Sequence, residues 1–159
     1  MGMVISTDVK KAKRMAAWCM GFTTVVGAIV SLLLFRLRVP ITKLFSSEPE
    51  VIQRCQDIWP NLCYYIFVLH IFGINGSILI ALGMQWRMAA IIFACLWLGT
   101  LPAVVMIAIR QQGGLDSVWT ILPCFYTIMQ ILLAASYLVA DWHAISEEIR
   151  EKERLQMLL

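Results

Sequence analysis

Four apolar runs, each free of Lys, Arg, Asp and Glu, occupy most of the chain: Met15–Phe35, Ile58–Met84, Met88–Ile109 and Val118–Ala140. A bilayer's hydrocarbon core is about 30 Å thick, and an α-helix needs about 20 apolar residues to cross it. Every run reaches that length. A central Lys, Arg or Asp costs about 2.5–3.5 kcal/mol on insertion scales. Charges confined to connectors and ends are therefore the pattern of spanning helices, and a soluble core does not explain it. The expected fold is all-α, an integral membrane bundle of four transmembrane helices.

Composition agrees. Hydrophobic residues make up 60% of the chain, against about 45–50% in soluble domains. A net charge of +3 is too small to indicate nucleic acid. The five cysteines (Cys19, Cys55, Cys63, Cys95 and Cys124) show no C-x-x-C spacing, so neither metal nor thioredoxin-like chemistry is expected. The first run is too long for a signal-peptide core and lacks a small-residue cleavage site. The opening M-G-M-V-I-S fits the loose myristoylation pattern at Gly2.

The chain divides into a basic segment 1–14, a four-span region 15–140 and a charged helical tail 141–159. Four spans put both ends on one side. That side carries eight basic residues and the other five, so the positive-inside rule places both termini in the cytoplasm. Ser47-Glu48-Pro49-Glu50 fits a capping box. A helix is thus expected to start near Glu48 and run into the second span. The turn Q-W-R makes spans two and three antiparallel neighbours. Glycines in R-Q-Q-G-G-L-D allow a tight C-cap. The tail reads as an amphipathic helix on the inner membrane surface, with Glu148 and Lys152 an (i, i+4) pair.

His70 is the one member of the Asp/Glu/Lys/Arg/His set inside a span. An intramembrane ionisable group is a functional candidate, and imidazole changes charge near neutral pH. Gly73 and Ser77 follow at helical spacing, so the three share one helix face that can line a cavity. The alternative is a neutral His70 bonded to a neighbouring helix. Asn75 can hydrogen-bond across helices, and Gln130 is expected to face protein. Gly21, Gly27, Gly73, Gly76 and Ser77 permit close helix approach. Pro102 and Pro123 are expected to kink spans three and four, as in transporters whose interrupted helices mark binding sites. Neither H-E-x-x-H, G-x-S-x-G nor a P-loop is present, and no cofactor or enzymatic activity is expected.

Read in order, these features resemble the C-terminal part of the multidrug and toxic compound extrusion (MATE) transporters. D-V-K-K-A-K-R-M-A-A-W resembles the family's basic, Ala-rich entry to the ninth helix. F-R-L-R-V-P-I-T-K-L-F-S-S-E-P-E-V-I resembles the connector that follows it, and is the most specific match. S-I-L-I-A-L-G-M-Q-W-R-M-A-A resembles the end of the tenth helix, with Gly83 and Gln85 matching and Ser77, Ile80, Ala81 and Met88 departing. T-L-P around Pro102 resembles the Leu-Pro of the eleventh helix. S-V-W-T and A-D-W resemble the two ends of the twelfth.

The resemblance implies a secondary active transporter that exports drugs or organic cations in exchange for protons or sodium. It also implies that this chain supplies helices nine to twelve, about one third of the whole. Family members commonly carry an acidic residue in the tenth helix, at a position held here by Leu69 with His70 beside it. The cation-binding carboxylate therefore does not carry over. Either His70 substitutes for it or this is an inactive copy. The rival reading is a stand-alone four-helix assembly or regulatory subunit without transport activity.

Overall fold

The computed structural model describes residues 8–157. Gly2 lies outside that range, and the Lys152 side chain of the expected tail pair is outside the described side chains. The elements are α1 (Val9–Arg36), α2 (Arg38–Phe45), α3 (Pro49–Ala81), α4 (Gln85–Arg110), α5 (Gly114–Leu138) and α6 (Trp142–Met157). Helices α1, α3, α4 and α5 are long and apolar enough to cross a membrane. The protein is all-α, and no strand occurs among the described residues.

Helix ends follow from local chemistry. Asp8 accepts the Lys11 N–H at 3.1 Å, so α1 begins at Val9, ahead of the apolar run. This bond satisfies one of the orphan donors of a first turn. Pro40 has no N–H to offer the Arg36 carbonyl, and its ring would clash there in a continuing helix. The chain breaks at Leu37 and restarts as α2, with Pro40 in the first turn. Trp59 Nε1 then donates to the Leu34 carbonyl at 2.9 Å, capping the end of α1 from α3.

The expected capping box does not form. Glu48 is itself the N-cap of α3, without a side-chain cap, and Pro49 takes the first helical position. Ser46 Oγ, rather than Ser47, accepts the Glu48 N–H at 3.1 Å. A proline at N1 already removes one orphan donor and fixes a helical φ, so the box is not needed. The other end of α3 falls at Ala81, before the expected Met84. Gly83 has φ +71°. The Gly83 N–H reaches the Ile80 carbonyl, and the Met84 N–H reaches that of Leu79. These are the two bonds of a glycine-centred Schellman cap. Q-W-R is consequently the first turn of α4 and not a loop.

Helix α3 is central, packed between α1 and α5. Ile78, Leu79, Met129 and Leu133 are the largest fully buried apolar side chains of the core. The contacts between spans two and three are confined to the first part of α4; the rest of α4 packs on α5. A tight turn fixes only where two helices start, so lateral packing is decided by the apolar faces beyond it. Helix α6 docks its first turn on the start of α1, with Trp142 and Ala12 buried together in the core. Asp141 caps it, accepting the N–H groups of His143 and Ala144.

The outer surface is apolar. Trp18, Phe22, Val25, Ile29 and Leu32 form one exposed stripe along α1, and Trp97, Leu98 and Ile109 are exposed on α4. Water does not tolerate contiguous apolar surface on this scale in a folded monomer, whereas lipid tails are as apolar as Leu.

Candidate functional site

The three α3 residues singled out from the sequence do not converge on one cavity. His70 is half-buried against α1, where a Cβ built on Gly27 would come within 3.0 Å of the His70 Cβ. Its Nδ1 lies 2.8 Å from the Ile66 carbonyl, so it bonds its own helix rather than a neighbour. Gly73 and Ser77 lie on the exposed side of α3. Nothing is within 4 Å of the Gly73 Cβ position, and Ser77 Oγ donates to the Gly73 carbonyl at 2.8 Å. Together Gly73 and Ser77 form an exposed small-residue surface whose one side-chain polar group is bonded back to its own helix.

The polar centre of the bundle lies on the opposite side of α3. Asn75 is 1% exposed and Gln130 is 6% exposed. Asn75 Nδ2 donates to Gln130 Oε1 at 3.0 Å, and Tyr137 Oη donates to Asn75 Oδ1 at 3.0 Å. Gln130 Nε2 is buried with no partner. A buried unpaired donor costs about 1–3 kcal/mol, so this amide is held at a cost by the contacts around it. Tyr137 was not evident from the sequence as a member of this centre. Its signal was present, since it follows Gln130 by seven residues, two helical turns on the same face.

More polar contacts join α3 to α5. Asn61 Nδ2 donates to Thr120 Oγ1 at 3.3 Å, and the Tyr64 and Thr127 hydroxyls are 2.9 Å apart. Partner numbers rise together along both helices, from 61 with 120 to 75 with 137. Helices α3 and α5 therefore run parallel, as two membrane helices separated by a single span must. The contacts of α1 with α3 run the other way, from Leu34 with Trp59 to Gly27 with His70. A cleft of about 360 Å³ opens between α1, α3 and α5, lined by Met20, Tyr64, Val68, Asn75, Gln130 and Tyr137 among others.

Pro102 sits in a four-residue α-helical turn flanked by two π-helical segments, Ala94–Thr100 and Val105–Arg110. The wide turns carry five-residue bonds, from the Leu101 N–H to the Leu96 carbonyl and from Gln111 to Met106. Thr100 Oγ1 adds a bond to the Cys95 carbonyl at 2.9 Å. Such segments cluster at functional sites, and nothing in the composition announced them. Pro123 is buried within α5, and Thr127 Oγ1 donates to its carbonyl at 2.7 Å. All five cysteines are free. No cluster of three metal-ligating side chains occurs among the described residues.

Four membrane-length apolar helices make this an integral multi-pass membrane protein. The family model described as MatE matches residues 6–105, more than half of the chain. The chain belongs to the MatE family. An uncharacterized transporter of Schizosaccharomyces pombe is 27% identical over 128 residues, covering 76% of this chain and 22% of the relative. Protein DETOXIFICATION 41 of Arabidopsis thaliana is 22% identical over 130 residues, covering 82% and 26%. Protein DETOXIFICATION 32 of the same plant is 22% identical over 111 residues, covering 70% and 22%. The chain thus spans about a quarter of the length of these curated relatives. Proteins of this family are transporters, not enzymes.

Proposed function

We propose that this chain forms part of a MATE-type secondary active transporter that exports drugs or organic cations in exchange for protons or sodium. The match of residues 6–105 to the family, carried on four membrane-length helices, is the observation that supports it. Both termini face the cytoplasm in this reading, which fits the basic residues Lys10, Lys11, Lys13 and Arg14 at the start of α1. The Gly73–Ser77 surface of α3 forms a wall of the transport path, with His70 one turn earlier on the same helix. Support comes from its exposure and from the open space around the Gly73 Cβ position among the described residues.

The transport assay uses everted membrane vesicles and a fluorescent organic cation. In a longer form that contains this sequence, an imposed proton or sodium gradient drives uptake. The 159-residue chain alone does not support it. His70→Ala in the longer form lowers exchange and shifts its pH dependence. Full exchange by the short chain would contradict the partial-transporter reading, and an unshifted pH profile would return His70 to a packing role.

A further inference from the structure

We propose that the start of α1 binds one anionic phospholipid, its phosphate between Lys13 and Arg14 and one acyl chain in each of two adjoining grooves. Each groove has a volume of about 510 Å³. Trp18, Phe22 and Val25 line the first, with Arg14 at its head. Met20, Leu138 and Trp142 line the second, with Lys13 at its head. Ala17 and Gly21 belong to both and form the low ridge between them. No atom lies within 4 Å of the Gly21 Cβ position, so the ridge is open from outside.

Charge and dimensions both point to this occupant. Successive residues are turned by a little over a quarter of a turn around a helix of 3.6 residues per turn. Lys13 and Arg14 therefore stand over neighbouring grooves rather than over one. From Arg14 to Val25 the helix rises about 16 Å at 1.5 Å per residue, close to half of a core about 30 Å thick. The first groove thus runs about one leaflet deep and the second, from Lys13 to Gly21, about 12 Å, with the cations where lipid phosphates lie. Lys13 Nζ is 5.6 Å from the centre of the Trp142 ring, whose Nε1 is fixed to the Tyr137 carbonyl at 2.8 Å. The cation is thereby held at the groove mouth. Among the described residues no carboxylate is ion-paired with Lys13 or Arg14. Three acidic groups at this end are engaged elsewhere. Asp8 and Glu147 line a separate depression with Lys10 and Arg150, and Asp141 caps α6. Two cations above two apolar channels fit a headgroup of net negative charge better than a zwitterion. Basic pockets at the cytoplasmic ends of membrane helices bind such headgroups.

Native mass spectrometry of the whole chain, released from micelles doped with dioleoylphosphatidylglycerol or dioleoylphosphatidylcholine, tests the proposal. The expected result is one retained phosphatidylglycerol per chain, favoured at least about tenfold over phosphatidylcholine, given the attraction of two basic side chains to an anionic headgroup. The pair Lys13→Gln and Arg14→Gln brings the two lipids to parity. Gly21→Phe fills the ridge without changing charge and also removes retention. Ala17→Leu does the same if circular dichroism shows that Gly21→Phe has lost helix. Lys10→Gln with Lys11→Gln removes equal charge outside both grooves and leaves retention unchanged. Equal retention of the two lipids by the unaltered chain would overturn the site. So would an equal loss in the Lys10/Lys11 pair, which indicates diffuse attraction, or displacement of the lipid by inorganic phosphate.

Discussion

Replacing Asn75 by Leu removes the one side chain that ties the middle of α3 to α5 by two buried bonds. Leu keeps the branching and heavy-atom count of Asn, so the change removes both hydrogen bonds at the cost of some added bulk in a buried site. Interhelical hydrogen bonds in membrane proteins average about 0.6 kcal/mol by double-mutant cycles and reach about 1.7. Two such bonds give about 1.2 kcal/mol, with an upper value of about 3.4. The orphaned Gln130 Oε1 and Tyr137 Oη move the loss toward the upper value, because Gln130 Nε2 is already unpaired. Gln130→Leu breaks one bond but also deletes that unpaired donor, so it costs less than Asn75→Leu. Reversible unfolding of the purified chain in mixed micelles, followed by circular dichroism, measures both. The Asn75/Tyr137 double-mutant cycle should show coupling of about 0.6 kcal/mol or more. A neutral or stabilising Asn75→Leu, or a cycle with no coupling, would refute the idea that this network holds α3 to α5.

Two further substitutions probe the backbone. Gly83→Ala places a side chain at φ +71° and should destabilise by about 1–2 kcal/mol, the usual cost of a left-handed conformation, read in the same unfolding assay. Gly99→Ala puts a Cβ 2.6 Å from the Phe125 ring and should cost about 1–3 kcal/mol as overpacking. Phe125→Leu in the Gly99→Ala background should recover part of that loss, and failure to recover would place the strain elsewhere.

The four spans were legible because the signal that specifies them, a long run without charge, is the same one that lipid selects. Their limits were less so. Asp8 extends α1 beyond the apolar run through a polar cap, and Gly83 ends α3 early through a backbone conformation; neither choice depends on hydropathy. The break at Leu37 was written in Pro40 but masked by the surrounding charges. Asn75 and Gln130 were legible as interior residues because amides avoid lipid. Tyr137 was not, since an aromatic near a span end reads equally well as an interfacial anchor. The π-helical turns of α4 rest on a shift of bonding by one residue, which composition does not encode. His70, Gly73 and Ser77 share a helix, yet packing against Gly27 draws His70 toward α1 while the other two stay outside.

In this topology the four long helices thread the bilayer in alternation. Single cysteines placed in a cysteine-free background at Lys10, Ser47, Trp86, Gln112 and His143, and labelled with an impermeant maleimide on sealed right-side-out and everted vesicles, measure this directly. Lys10, Trp86 and His143 are expected to react from one side and Ser47 and Gln112 from the other. Labelling of Ser47 and Trp86 from the same side would contradict it.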